Sequence, residues 1–182
     1  MEEREQLQQV LKDPENIRHI EHPTKRIQMS AIVADPYCIK YVVNPHVDVQ
    51  LYAVRRHEDV LSCIHRPSEE VTLAAVSAFP TSIRFSPDPT RRVQLRAVQN
   101  DPQVLQFIRD PDPKTLEIAV RLYPRQAFDL DLNIRYKRLA VQVKPSLLKG
   151  LAQEIVDALD VSTIYSKLVS KTSGWSNPYS MV

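Results

Sequence analysis

The chain has 182 residues, a net charge of +2, and 43% hydrophobic against 25% charged residues, a globular balance that excludes a disordered or low-complexity polymer. Cys38 and Cys63 are the only cysteines, too few to staple a fold and without C-x-x-C spacing, so both read as reduced; two glycines in the whole chain exclude a Gly-rich phosphate cradle. No apolar run approaches membrane-spanning length, and the first residues, MEEREQLQQV, carry no apolar core like that of a signal peptide, so the expected setting is a cytoplasm with no membrane contact.

Residues 1–13, centred on EREQLQQVLK, predict an amino-terminal cap helix. From residue 14 to about 145 the sequence repeats with a period of 22. Pro14, Pro36, Pro80, Pro102 and Pro124 lie on one ladder, with Glu58 in its one vacant slot, and Pro23, Pro45, Pro67, Pro89 and Pro111 lie on a second. Further columns hold Ala31, Ala53, Ala75, Ala97 and Ala119, each followed at once by Ile or Val; Ile27, Val49, Val71 and Val93; and Ile17, Ile39, Leu61, Ile83 and Leu105. A sixth unit, RQAFDLDLNIRYKRLAVQVKP, is one residue shorter.

Each unit divides into a shorter and a longer segment, and proline opens both. Proline suits the first helical position because its N–H would be unpaired there, and it ends the preceding helix by pushing the residue before it out of the helical region. Asp13, Asp35 and Asp101 precede the prolines of the shorter segment, and Asn44, Asp88 and Asp110 those of the longer; all are capping residue types. The expected unit is therefore a three-turn α-helix plus a short, 3₁₀-like helix. Six such units predict an all-α chain wound as a right-handed α-solenoid closed by terminal cap helices. Gln28, Gln50 and Gln94 fall inside the apolar arc of the longer helix, where a buried amide needs partners, and predict a hydrogen-bond ladder between units.

After Pro145, SLLKGLAQEIVDALD predicts a helix capped by Ser146, with Leu148, Ala152, Ile155 and Leu159 on one face. STIYSKLVSK, with Ile164, Tyr165, Leu168 and Val169, predicts a second; together they give a carboxyl cap over residues 146–172. A polar tail, residues 173–182, holds Trp175.

The string RPSEEVTLAAVSAFP, Arg66 to Pro80, resembles the short tandem α-helical repeats of N-P-S-E-E-V-Q-L-A-A-V type that occur in uncharacterised bacteriophage, prophage and large-virus proteins. Here Arg66 stands where that repeat has asparagine, and Pro80 where it often has Asn-Gly. The repeat is also similar to leucine-rich-variant solenoids, in which α and 3₁₀ helices alternate. The resemblance spans residues 14 to about 145. It implies a phage or prophage origin and a scaffold or binding role, and it transfers no catalytic residue.

Dinucleotide, metalloprotease and zinc-ligand spacings are all missing. His19 and Cys63 share a repeat column with Tyr41, Phe85 and Phe107, which reads as half-buried packing rather than a ligand set, and no orienting group or oxyanion donor accompanies a Cys–His pair. No catalytic residue, metal or cofactor is assigned.

Charge placement carries the functional signal. Counted from the first proline of each unit, offsets 12, 16, 19 and 20 face solvent by the 100° helical step. They collect Arg26, Arg55, Arg56, Arg92, Arg96, Lys114 and Arg121 against Asp48 and Glu70, an excess of five positive charges. Tyr52, Ala74, Ser77 and Ala78 leave a shallow gap between the two arginine groups. Arginine pairs bidentately with carboxylates and phosphates. The expected function is therefore non-enzymatic binding of another protein, a virion or host component with an acidic surface, with Arg55, Arg56, Arg92 and Arg96 as contacts and Tyr52 as an aromatic anchor. A nucleic-acid-binding solenoid is the alternative, and a solvated arginine face kept for solubility is the reading without a partner. A second basic stretch, Arg135, Lys137, Arg138, Lys144 and Lys149, extends either surface.

Overall fold

A computed structural model describes residues 2–149 and 153–160. Among them every regular element is a helix. The chain divides into two compact units, Met1–Pro111 and Asp112–Val182.

In the first unit five α-helices, α1 (Glu3–Lys12), α2 (Lys25–Ala34), α3 (Val47–Val54), α4 (Glu69–Ala78) and α5 (Arg91–Asn100), alternate with five 3₁₀ helices. These are η1 (Pro14–His19), η2 (Pro36–Tyr41), η3 (Val60–Cys63), η4 (Pro80–Phe85) and η5 (Pro102–Phe107). Each α-helix packs on the next α-helix, each 3₁₀ helix on the next 3₁₀ helix, and the two series back one another. The sequence columns line the seam between them. Ala31, Ala53, Ala75 and Ala97 and the Ile or Val after each are buried, as are Ile27, Val49, Val71 and Val93. Alanine at the α–α contact lets neighbouring helices approach closely, and the larger column Ile17, Ile39, Leu61, Ile83 and Leu105 fills the space under them at no more than 2% exposure.

Proline opens the short helices as expected. Pro14, Pro36, Pro80 and Pro102 each stand at the first or second helical position, and Asp13, Asp35 and Asp101 accept the N–H of Glu15, Tyr37 and Gln103 at 3.0, 2.9 and 2.9 Å. The longer helices begin differently. Each starts two residues after its proline, so Asn44 and Asp88 lie outside the helices; the caps are Thr24, Ser68 and Thr90, whose hydroxyls accept from Ile27, Val71 and Val93 N–H at 3.5, 3.3 and 3.4 Å.

At three of these starts the proline carbonyl is already engaged by a side chain. Pro23, Pro45 and Pro89 give theirs to the side-chain amides of Gln28, Gln50 and Gln94 at 2.9, 2.8 and 3.0 Å. A helix opening on the proline would commit that oxygen to a backbone N–H instead. Gln28 Oε1 also accepts from His46 N–H at 3.0 Å, and Gln94 Nε2 reaches the Asp110 carbonyl at 3.4 Å, so these two glutamines bridge to the following repeat. Gln50 bonds within its own, which corrects the expected ladder at that rung.

The vacant proline slot reshapes the middle of this unit. With Glu58 there, α3 is eight residues long rather than ten and η3 is four. The Glu58 carboxylate accepts from Thr81 Oγ1 at 2.5 Å and Arg84 Nη2 at 3.1 Å, and its carbonyl accepts from Ser82 Oγ at 2.6 Å, tying the segment to η4. The return to α4 passes through Arg66 at φ 51°, a left-handed conformation that costs a side chain with a Cβ about 1–2 kcal/mol and suits asparagine better. Arg66→Asn is expected to raise stability by about 0.5–1 kcal/mol, read as a higher urea midpoint at unchanged slope.

The second unit holds α6 (Pro113–Leu122), α7 (Gln126–Asp129), α8 (Ile134–Val143), the 3₁₀ helix η6 (Pro145–Leu148) and α9 (Gln153–Ala158). Asp112, rather than Asp110, caps α6, with Pro113 inside the first turn. Val120, Ala127, Tyr136 and Ala140 form one buried cluster, and Val141, Leu148 and Leu159 another. The short sixth repeat replaces its 3₁₀ helix with the α-helical turn α7, left through Asp131 at φ 47°.

Ser146 caps nothing. It sits inside η6, because Pro145 opens a short helix as the earlier prolines do. The second cap helix expected at Ile164, Tyr165, Leu168 and Val169, and the tail with Trp175, lie outside the described residues.

Candidate functional site

The packing of α3, α4 and α5 shapes a cleft of about 990 Å³ on their exposed side. Leu51, Leu73 and Leu95, one from each helix and each half-buried, form its floor. Ala74, Ser77 and Ala78 on α4 are too short to fill it. Arg55 enters from the end of α3, and Arg91, Arg92 and Arg96 from α5; Glu69 and Glu70, in the first turn of α4, close one end.

The electrostatics are unbalanced. Arg55, Arg92 and Arg96 are exposed, and their guanidinium groups make no ion pair or hydrogen bond among the described residues. Arg55 at the end of α3 complements the helix dipole, whereas Arg91 and Arg92 in the first turn of α5 oppose theirs by ~0.3–1 kcal/mol each, so helix stability does not select them. Glu69 is turned aside: its carboxylate accepts from the Thr90 hydroxyl at 2.6 Å, as Glu3 accepts from Thr24 at 2.7 Å. Elsewhere arginines find carboxylates, as in Arg18–Glu15 at 3.4 Å, Arg84–Glu58 at 3.1 Å and Arg125–Asp129 at 3.3 Å.

Other residues singled out from the sequence lie apart from this cleft. Arg56 stacks over the Tyr52 ring at 5.0 Å, so the expected aromatic anchor already has a cation on it, and neither residue lines the cleft. Arg26 borders a separate groove of about 630 Å³ with Leu11, Met29 and Val33. Asp48, counted against the stripe, pairs with Lys25, which holds its carboxyl below the usual carboxylate range. Lys114 and Arg121 share Glu117 at 3.7 and 3.1 Å, and that pairing lowers the Glu117 pKa. The stripe count omitted Glu117 because it sits at another offset; its i+3 and i+4 spacing to the two cations was the available signal. In the second basic stretch Lys137 pairs with Asp131, Arg138 donates to the Leu159 and Ala158 carbonyls at 3.2 and 3.4 Å, and Arg135 lies over the Tyr136 ring at 5.9 Å.

One polar cluster was not anticipated. Asp59 Oδ1 accepts from Tyr37 Oη at 2.6 Å and meets His57 Nδ1 at 2.7 Å. The hydrogen bond to Asp59 pushes the Tyr37 hydroxyl up to about 12, and the same bond lowers Asp59. The cluster joins η2 to the segment where the proline is missing, a structural task. Burial pushes the Cys38 thiol up to about 12, with Asp35 adding to the shift, so it stays protonated at neutral pH. Among the described residues no group of three or more His, Cys, Asp or Glu side chains is placed to hold a metal ion, and no helix is long and apolar enough to cross a membrane.

No protein-family model, curated protein or solved structure matches the chain.

Proposed function

We propose that the chain is a non-enzymatic binding protein whose arginine-bearing cleft over α3–α5 receives the acidic surface of another protein. The observation that carries this reading is the convergence of Arg55, Arg92 and Arg96, all without a charged partner among the described residues, on a gap floored by Leu51, Leu73 and Leu95. Planar guanidinium groups beside an apolar floor suit carboxylates carried on a folded surface, and arginine is enriched at the centres of protein interfaces. The consecutive packing of α1–α5 and η1–η5 supports the finer architecture, a right-handed α-solenoid of six 22-residue units over residues 14–145 between terminal caps. The likeness of RPSEEVTLAAV to tandem repeats of phage and prophage proteins supports a viral origin and action in a host cytoplasm, as a virion or assembly component or a host-directed inhibitor.

Nucleic acid is the competing ligand for an arginine surface. Single-strand binders offer several open aromatic faces for base stacking; here the one tyrosine near the arginines is covered by Arg56. Protein is the better match.

The test is affinity capture from host lysate with the unaltered chain and with Arg92→Glu/Arg96→Glu, two exposed positions where charge reversal leaves the core untouched. The variant is expected to hold its specific partners about tenfold more weakly, with the loss growing as salt is lowered. Retention of the same proteins in the same amounts refutes the assignment of the cleft. Capture that is nuclease-sensitive and falls steeply with salt would favour nucleic acid.

A further inference from the structure

The arginine cleft is one end of a longer surface. Met29, Leu51, Leu73 and Leu95 occupy the same place on α2, α3, α4 and α5, and all four are half-buried. Since these helices pack consecutively, their side chains form an apolar track that joins the cleft to the groove at Leu11, Met29 and Val33. Along one flank of that track the repeat column changes from Val33 to Arg55 and then to Ser77. Leu11 and Val33 are 67% and 51% exposed, far more than a monomer's core-forming residues, and they stand together at the groove. Lys25 beside them is occupied by Asp48, which leaves Arg26 as the cation at that end.

We infer that this face takes a single amphipathic, acidic helix of the partner protein, with its apolar residues at one end in the groove of Leu11, Met29 and Val33 and its carboxylates at the other end against Arg55, Arg92 and Arg96. The inference rests on the protein-binding reading above and adds the form and polarity of the ligand. Charge complementarity fixes the acidic end, and the exposed aliphatic pair fixes the apolar end. Three helix-to-helix steps of ~8–10 Å separate α2 from α5, about 25–30 Å, which a helix of about 17–20 residues spans at 1.5 Å per residue. A helix lying in an apolar groove with charges at its edges is a common recognition mode.

The experiment selects a displayed library of random peptides about 20 residues long on the full chain. Enriched peptides are then measured by fluorescence anisotropy against the full chain, Leu11→Gln/Val33→Gln and Arg92→Glu/Arg96→Glu, with a single-stranded oligonucleotide as a parallel probe. All four positions are exposed, and far-UV spectra of the variants confirm that the fold is retained. The expected peptides combine an acidic run with aliphatic residues at i, i+3, i+4 spacing toward one end. Leu11→Gln/Val33→Gln, which adds no charge, should weaken them about tenfold with the salt dependence unchanged, whereas Arg92→Glu/Arg96→Glu should weaken them and flatten the salt dependence. Peptides lost to the arginine variant but indifferent to the Leu11/Val33 variant would overturn this inference and leave the arginine cleft standing. No enrichment, or peptides indifferent to both variants, would overturn both. Oligonucleotide binding that is stronger than any peptide's and lost in the arginine variant would replace the protein partner with nucleic acid.

Discussion

Truncating Ile39 to alanine is expected to cost about 2–5 kcal/mol, among the largest losses open to a single substitution in this chain. Ile39 is 1% exposed and lies in η2, within one hydrophobic cluster that runs from Val10 to Ala75. Its column-mates Ile17 and Leu61 sit on either side, each held in place by its own proline or turn, so little can collapse into the space left behind. The cost therefore includes the cavity as well as the lost burial. Ile39→Val, which removes one methyl group, should cost about 0.5–1.5 kcal/mol. Denaturant melts of the two variants followed by far-UV dichroism give the comparison, with Leu11→Ala, at an exposed site, near the unaltered midpoint. Equal midpoints for Ile39→Ala and Leu11→Ala would show that the 3₁₀ helices are not part of the core.

The second large effect separates two glutamines that look alike in the sequence. Gln28 is buried and joins two backbone groups, the Pro23 carbonyl and the His46 N–H of the next repeat. Gln28→Leu keeps the volume but strands both groups, at a cost of about 1–3 kcal/mol. Gln50 is only half-buried and satisfies one carbonyl within its own repeat, so Gln50→Leu should cost under about 1 kcal/mol. Hydrogen exchange at the His46 amide would rise in the first variant and not in the second. If both substitutions prove equally mild, the amide bridge is not holding the repeats in register.

Burial was legible in the sequence wherever a column held one residue class. Alanine followed by Ile or Val every 22 residues admits one face for the core, and the structure buries that face. Proline was less informative. The same residue satisfies both an N1 position and an extended lead-in two residues earlier, and the capping hydroxyl that follows it favours the second at α2, α4 and α5. Thr24, Ser68 and Thr90 were the visible clue, since each follows its proline and is itself a capping type. At the candidate site the small residues Ala74, Ser77 and Ala78 announced a depression, and the structure places Arg55, Arg92 and Arg96 around it. What the offsets could not convey was pairing. Whether Tyr52 stands open or under Arg56, and whether Lys114 and Arg121 are spent on Glu117, depends on side-chain reach across a helix rather than on column membership.

In the first unit each helix meets chiefly helices of its own repeat and of the adjacent one. Partners so close along the backbone find one another quickly, because little loop entropy is lost in closing the gap. Assembly can begin at any neighbouring pair and spread both ways, without waiting for distant segments to meet. A nascent chain of this kind would acquire order progressively as it leaves the ribosome.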